Sequence, residues 1–130
     1  MRYIINEDNT ATDTKTGLIW QRTISPNSYT WGESKKYAAA IGNGWRLPAI
    51  EELFALADHT RVGPAIDVQV FPNTTSETFW SSSLNALYRN NAWGVHFSNG
   101  HSYYGSFDNT FRVRCVRCEA SCALLKPLYH

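Results

Sequence analysis

Long apolar runs, a surplus of one charge and a paired set of cysteines are all missing from this chain of 130 residues. No apolar stretch approaches the roughly 18 residues a membrane-spanning helix needs, so insertion in a bilayer is not expected. Twelve Lys and Arg stand against eleven Asp and Glu, a net charge of +1. That balance leaves no basic footprint for nucleic acid or for an anionic membrane surface. The three cysteines, Cys115, Cys118 and Cys122, are odd in number and crowd the C-terminal end, which does not describe a disulfide framework. The opening MRYIINEDNT lacks the apolar core of a secretory leader. A protein that stays inside, one displayed on a cell or virion surface by another export route or through a partner, and a piece of a longer chain all fit that opening. Also missing are a Gly-rich phosphate loop and any Cys–His–Asp/Asn spacing with a mechanism, so no enzyme is expected.

What is present argues for one folded domain. Hydrophobic residues make up 43% and aromatics 14%, with five Trp. The domain is expected over residues 1–118, with residues 119–130 as a tail in which Leu124, Leu125 and Leu128 either pack down or stay loose. C-x2-C-x3-C with His130 suggests a metal site. Cys115, however, falls in a strand-like run, where a residue three positions on faces the other way. No metal and no other cofactor is expected.

Residues 2–24 read as strand material: Tyr3-Ile4-Ile5, the polar turn NEDNTATD, then Leu18-Ile19-Trp20. Thr30-Trp31-Gly32-Glu33 spells a capping box, predicting a helix over 31–41 with Tyr37, Ala38 and Ile41 on its apolar side and Gly42 as its stop. A second helix is predicted over 49–58, with Pro48 at its start and Ile50, Leu53, Phe54 and Ala57 as its apolar stripe. Residues 61–78 are irregular. Short strand-like runs follow at 79–82, 92–97 and 111–116, with Ser98-Asn99-Gly100 as a hairpin turn. Early helices and late antiparallel strands make the class α+β.

The functional signal lies in residues 85–109. This stretch holds five Asn, three Tyr, three Ser, three Gly and two His, but one acid (Asp108) and one base (Arg89). Tyr offers rigid contact area at low entropy cost, and Ser, Gly and Asn adapt their hydrogen bonds to a partner. Trp93, Val95 and Phe97 alternate with Gly94, His96 and Ser98, so one face is predicted to be core and the other surface. A polar hairpin with no partner has the same composition, and the residues alone leave both readings open.

Several short motifs in one order resemble a known family. They are Thr12-Asp13-Thr14-Lys15-Thr16-Gly17-Leu18-Ile19-Trp20-Gln21, Trp45-Arg46-Leu47-Pro48, Phe79-Trp80-Ser81-Ser82-Ser83, Ala92-Trp93 with Val95 and Phe97, and Val113-Arg114-Cys115-Val116-Arg117. Together they resemble the family named for the C-terminal domain of the collagen-like adhesin Lcl, over nearly the whole chain. The resemblance implies a C-type-lectin-like fold: two helices, a small mixed or antiparallel sheet and a loop-rich ligand face. It also implies that Trp20, Trp45, Trp80, Trp93 and the VRCVR run are scaffold. Some members are variable proteins of diversity-generating retroelements, in which adenine-directed mutagenesis randomises chosen codons. The residues after Gly100 nearly all belong to the set such codons reach. Two departures stand out: the first helix carries no Cys to pair with Cys115, and Phe107 lies near the place of a frequent Lys. No Glu-Pro-Asn or Trp-Asn-Asp run marks a calcium-dependent lectin, and a single carboxylate is poor in calcium ligands.

The expected ligand face comprises Asn85, Tyr88, Arg89, Asn90, Asn91, Gly94, His96, Ser98, His101, Ser102, Tyr103, Tyr104, Ser106, Phe107, Asp108 and Asn109. A protein ligand is favoured because affinity would come from buried aromatic area. The alternative is an adhesin with a fixed carbohydrate ligand, for which aromatic stacking and Asn side chains are also suited.

Overall fold

The computed structural model describes residues 2–118. Two helices and two antiparallel sheets make up these residues, the α+β class read from the sequence. Strands β1 (Tyr3–Ile5), β2 (Thr10–Asp13) and β3 (Leu18–Gln21) open the chain. Helices α1 (Trp31–Ile41) and α2 (Ile50–Leu56) follow, then β4 (Thr78–Leu84), β5 (Asn91–His96), β6 (His101–Ser106) and β7 (Val116–Cys118). β7 returns to pair with β3, Ile19 opposite Arg117, so the first sheet runs β1-β2-β3-β7 and the second β4-β5-β6.

The expected polar turn before Leu18 conceals β2. Its Ala11 is fully buried, and Thr10 and Asp13 are buried with it. Thr favours a pleated strand, and the charge of Asp13 is matched there. Arg2 reaches it with two N–H groups at 2.8 and 3.1 Å, and the Lys15 amide donates at 3.0 Å. Burial pushes the Asp13 carboxyl up, but these donors outweigh it and hold the group below the usual carboxylate range.

The capping box of α1 forms in both directions. The Thr30 amide donates to Glu33 Oε1 at 3.0 Å, and the Glu33 amide donates to Thr30 Oγ1 at 3.4 Å. Gly42 ends the helix at φ +74°, a left-handed position at which a Cβ is strained. α2 is shorter than the predicted 49–58. Pro48 precedes its N-cap, Ala49, whose amide donates to Glu52 Oε1 at 2.8 Å, and Ala57 turns extended at φ −68°, ψ 142°. Its buried residues are Leu53 and Leu56, while Phe54 is exposed and tilted against the His59 ring. Arg46 clamps Glu52 through two bonds of 2.8 and 2.9 Å, tying the WRLP turn to the helix.

The predicted strand over 111–116 is instead a crossing segment. Phe111 bridges Tyr29, Arg112 bridges Phe79, and Val116, the first residue of β7, bridges Arg46. It touches both sheets in turn, so no single neighbour supports a continuous ladder. Val113, Arg114, Cys115 and Val116 are all buried along it. Arg114 donates to the Gln21 carbonyl at 2.7 Å and to Thr74 Oγ1 at 2.6 Å and lies over the Phe71 ring. Burial lowers its guanidinium to about 9, still protonated at neutral pH.

Two hydrophobic clusters result. One gathers Trp20, Leu53, Leu56, Ile66, Phe71, Phe79, Val95 and Phe97; the other Ala38, Leu47, Trp80, Ala92, Val113 and Cys115. Trp20 and Trp80 are fully buried, whereas Trp45 and Trp93 are only half-buried. Trp45 sits at the rim with the Arg117 guanidinium 5.2 Å from its ring.

The two described cysteines belong to different clusters. Cys115 packs beside Ala38 and Trp80, and Cys118 packs against the Phe71 cluster, with Arg46 donating to its sulfur at 3.8 Å. Cys122, His130 and the leucines of the expected tail lie outside the described residues. Burial pushes the Cys115 thiol up to about 12, which leaves almost no thiolate at neutral pH. In a Cys118→Ser, Cys122→Ser variant, a thiol-reactive dye should therefore label Cys115 only as the chain unfolds. Native-state labelling as fast as that in denaturant would contradict this burial.

Candidate functional site: an aromatic edge on the second sheet

β5 is the central strand of its sheet and lies between the two clusters, which decides what it can expose. Val95 pairs with Phe79 and joins the Phe71 cluster; Ala92 and Gly94 face the Trp80 side. Both faces are consequently filled near the middle of the strand. Phe97, just beyond it, is 1% exposed. The turn after β5 closes with the Gly100 amide donating to the His96 carbonyl at 2.8 Å, and Gly100 takes φ +81°.

β6 is the outermost strand, and His101, Ser102, Tyr103 and Tyr104 are all exposed on it. Beside its far end, the connection from β4 to β5 is held tightly from within. The Asn85 side chain is buried, and its Oδ1 accepts from the amides of Leu87 at 2.9 Å and Tyr88 at 3.4 Å. The Asn85 amide donates to the Asn91 carbonyl, and the Asn91 amide donates to the Tyr88 carbonyl. These bonds place Tyr88 over β6.

A ladder of rings follows. Tyr88 stacks on Tyr104 at 5.4 Å and 14°, and Tyr103 continues the stack at 6.3 Å. Trp93, directly across from Tyr104 in the register, meets it edge-on at 5.3 Å. Tyr103 meets Phe111 edge-on at 6.2 Å. The three tyrosines are 51%, 50% and 41% exposed for Tyr88, Tyr103 and Tyr104, so the rings are ordered by one another while still open to solvent.

The expected face divides into three groups. Tyr88, Arg89, Asn90, His101, Ser102, Tyr103, Tyr104, Asp108 and Asn109 are exposed; Asn91, His96, Ser98, Ser106 and Phe107 are half-buried. Asn85 and Gly94 are buried and leave the surface. A Cβ on Gly94 would lie 2.4 Å from the Phe79 carbonyl oxygen, so glycine here lets β4 and β5 approach. Phe107 stacks on Trp31 at 4.6 Å and 12°, making it a bridge to α1 more than a free contact. His96 and Ser98 bond each other at 2.7 Å near the turn, at the opposite end of the hairpin from Tyr88 and Phe107. At about 3.3 Å per residue, the two ends of the six-residue strands lie roughly 17 Å apart. β6 joins them.

Two apolar residues at and just after the end of β4 are exposed and were not among those expected: Leu87, 85% exposed, and Leu84, 56% exposed. Their signal was a leucine on either side of Asn85-Ala86, where the strand gives way to a polar connection. Charge is sparse, with Arg89 and Asp108 the two charged groups of residues 85–109. Among the described residues no group of three or more His, Cys, Asp or Glu could hold a metal ion. A separate open cleft of about 600 Å³, lined by Arg2, Tyr3, Leu56, His59, Asp67 and Val70 among others, contains none of the expected residues.

The family model of the Lcl C-terminal domain matches residues 9–117, and the chain belongs to that family. The match takes in both helices, the whole second sheet with its aromatic edge, and the first sheet apart from β1 and the last residue of β7. No curated protein matches the chain.

Proposed function

We propose that this member of the Lcl C-terminal domain family is a recognition module that binds a protein ligand through the outer side of the β5–β6 hairpin and the neighbouring connection. The observation that carries this reading is the exposed ladder Tyr88–Tyr104–Tyr103, flanked by Trp93. Pre-stacked rings lose little entropy on binding, and desolvating a nearly uncharged patch leaves few ions to be matched. Contiguous exposed apolar surface of this kind characterises interaction sites.

The surface suits diversification. The exposed residues Asn90, His101, Ser102, Tyr103, Tyr104, Asp108 and Asn109 fall within the set that adenine-directed mutagenesis of Asn codons reaches, while Ala92, Val95 and Phe97 beneath them are buried. In this reading the scaffold stays fixed and the ligand changes with the clone.

The test is a displayed library randomised at Tyr88, Arg89, His101, Ser102, Tyr103, Tyr104 and Asp108, selected against hen lysozyme as an arbitrary folded protein. Folded binders whose affinity reverts when these positions are restored are the expected result. A library that is largely unfolded, or binders whose contacts lie elsewhere, would sink the reading.

A further inference from the structure

Open backbone, as much as exposed rings, distinguishes the outer strand. In the β5–β6 register Ala92 pairs with Gly105, Gly94 with Tyr103 and His96 with His101. The Phe107 amide donates to the Asn90 carbonyl at 3.0 Å, and the Gly100 amide donates to the His96 carbonyl. In an antiparallel ladder alternate residues face the partner strand, so His101, Tyr103 and Gly105 turn their backbone groups toward β5. Ser102 and Tyr104 therefore turn theirs outward. Among the described residues no segment pairs with that outer side.

The other strand edges are treated differently. β4 is covered by the crossing segment, with the Trp80 amide donating to the Arg112 carbonyl, the Arg112 amide to the Thr78 carbonyl, and the Ser82 amide to the Pro48 carbonyl. β7 is met by Arg46, which exchanges two bonds of 3.0 Å with Val116. β1 is three residues long, preceded by Arg2 and followed within three residues by Glu7 and Asp8. Short length, charge and cover are the usual protections of an edge. β6 has none of them: six residues in continuous register, without Pro, without Lys or any other fixed charge, and without a bulge.

We propose that an extended segment of the protein ligand adds to β6 as a fourth strand of this sheet, a proposal that rests on the recognition surface argued above. The backbone of the segment takes up the amides and carbonyls of Ser102 and Tyr104, and its side chains alternate across both faces. By alternation one face of β6 carries Tyr104 beside Tyr88 and Trp93 and the other carries Tyr103 beside Phe111, and the two tyrosine rings still approach each other to 6.3 Å. A matching segment therefore carries apolar or aromatic residues at two adjacent positions, one for each face, and little charge.

The test uses a phage-displayed library of linear peptides selected on the full chain, with the binders measured on four forms: wild type, Ser102→Ala, Ser102→Pro, and Tyr88→Ser with Tyr104→Ser. Proline removes only an outward amide, so Ser102→Pro is expected to melt like the wild type. Expected is a loss of more than about tenfold in affinity on Ser102→Pro, a clearly smaller loss on Ser102→Ala, which removes the hydroxyl but keeps the outward amide, and a loss similar to that of Ser102→Pro on the double Tyr variant. Methylating alternate backbone amides of the peptide should abolish binding in one register only, which carries the test even where Ser102→Pro fails to fold. Peptides that need Tyr88 and Tyr104 but ignore both Ser102→Pro and amide methylation would overturn strand addition and leave the recognition surface standing. Peptides indifferent to the double Tyr variant would overturn both. A library that yields no linear binder, or a wild-type dimer that Ser102→Pro splits, would overturn the proposal, the second by showing that the occupant of the edge is another copy of the chain.

Discussion

Phe97→Ala is expected to lower the stability of the fold by about 3–5 kcal/mol, the usual effect of emptying a buried aromatic site. Phe97 is 1% exposed and packs edge-to-face on Phe79 at 5.2 Å, inside the cluster that also holds Trp20, Leu53 and Val95. Its surroundings have little room to collapse into the gap. The Phe97 amide is bonded to the Glu77 carbonyl at 2.9 Å, and its carbonyl accepts the Ala65 amide at 2.7 Å, so the backbone is pinned on two sides. A urea titration should show a lower midpoint with an unchanged slope. A silent substitution would mean that Phe97 does not carry the core as described.

Gly94→Asn is expected to be nearly as costly, at or above the top of the range of about 1–3 kcal/mol for overpacking a filled site. The alternation with Trp93 and Val95 places Gly94 on the expected surface face, where Asn is one of the residues the proposed diversification would reach. Its Cβ would instead stand 2.4 Å from a backbone oxygen of Phe79, with Thr78 Cγ2 at 3.3 Å. A backbone atom inside a paired strand moves only by disturbing the ladder. Gly105 makes a useful contrast, because its Cβ would meet side-chain atoms of Phe111 and Asn109 at 2.7–2.9 Å and not a backbone atom of a paired strand. Thermal melts of both variants should therefore show Gly94→Asn as the more damaging. Equal and small losses would return Gly94 to the surface.

The difference between the expected and observed positions of Gly94 has a physical source. Alternation along a strand identifies two faces, but it assigns one of them to solvent only when the sheet has a single core. Here Val95 enters one hydrophobic cluster and Ala92 the other, so the central strand is buried on both sides. The outer strand β6 escapes this, and there composition alone identified exposed residues correctly: His101, Ser102, Tyr103 and Tyr104. The Thr30–Glu33 box and Gly42 fixed α1 to the residue, because capping is a local interaction between neighbours in sequence. β2 was hidden because its Thr10-Ala11-Thr12-Asp13 is polar by composition, and its burial depends on Arg2, eleven residues from Asp13. The crossing path of residues 111–116 was hidden likewise, since its partners Tyr29, Phe79 and Arg46 are distant in the chain. Asn85 reads as a surface residue by type. Only the loop it closes shows that its side chain serves the backbone of Leu87 and Tyr88.

The central claim is that the tyrosine ladder is held open for a partner and is not what keeps the domain folded. It is tested most directly by the denaturation curve of a Tyr88→Ser, Tyr103→Ser, Tyr104→Ser variant measured beside Phe97→Ala. Three exposed positions at about 0.5 kcal/mol each predict a cooperative transition with a loss below about 2 kcal/mol. A loss equal to that of Phe97→Ala, or a transition that is no longer cooperative, would show the rings to be part of the core and contradict the account.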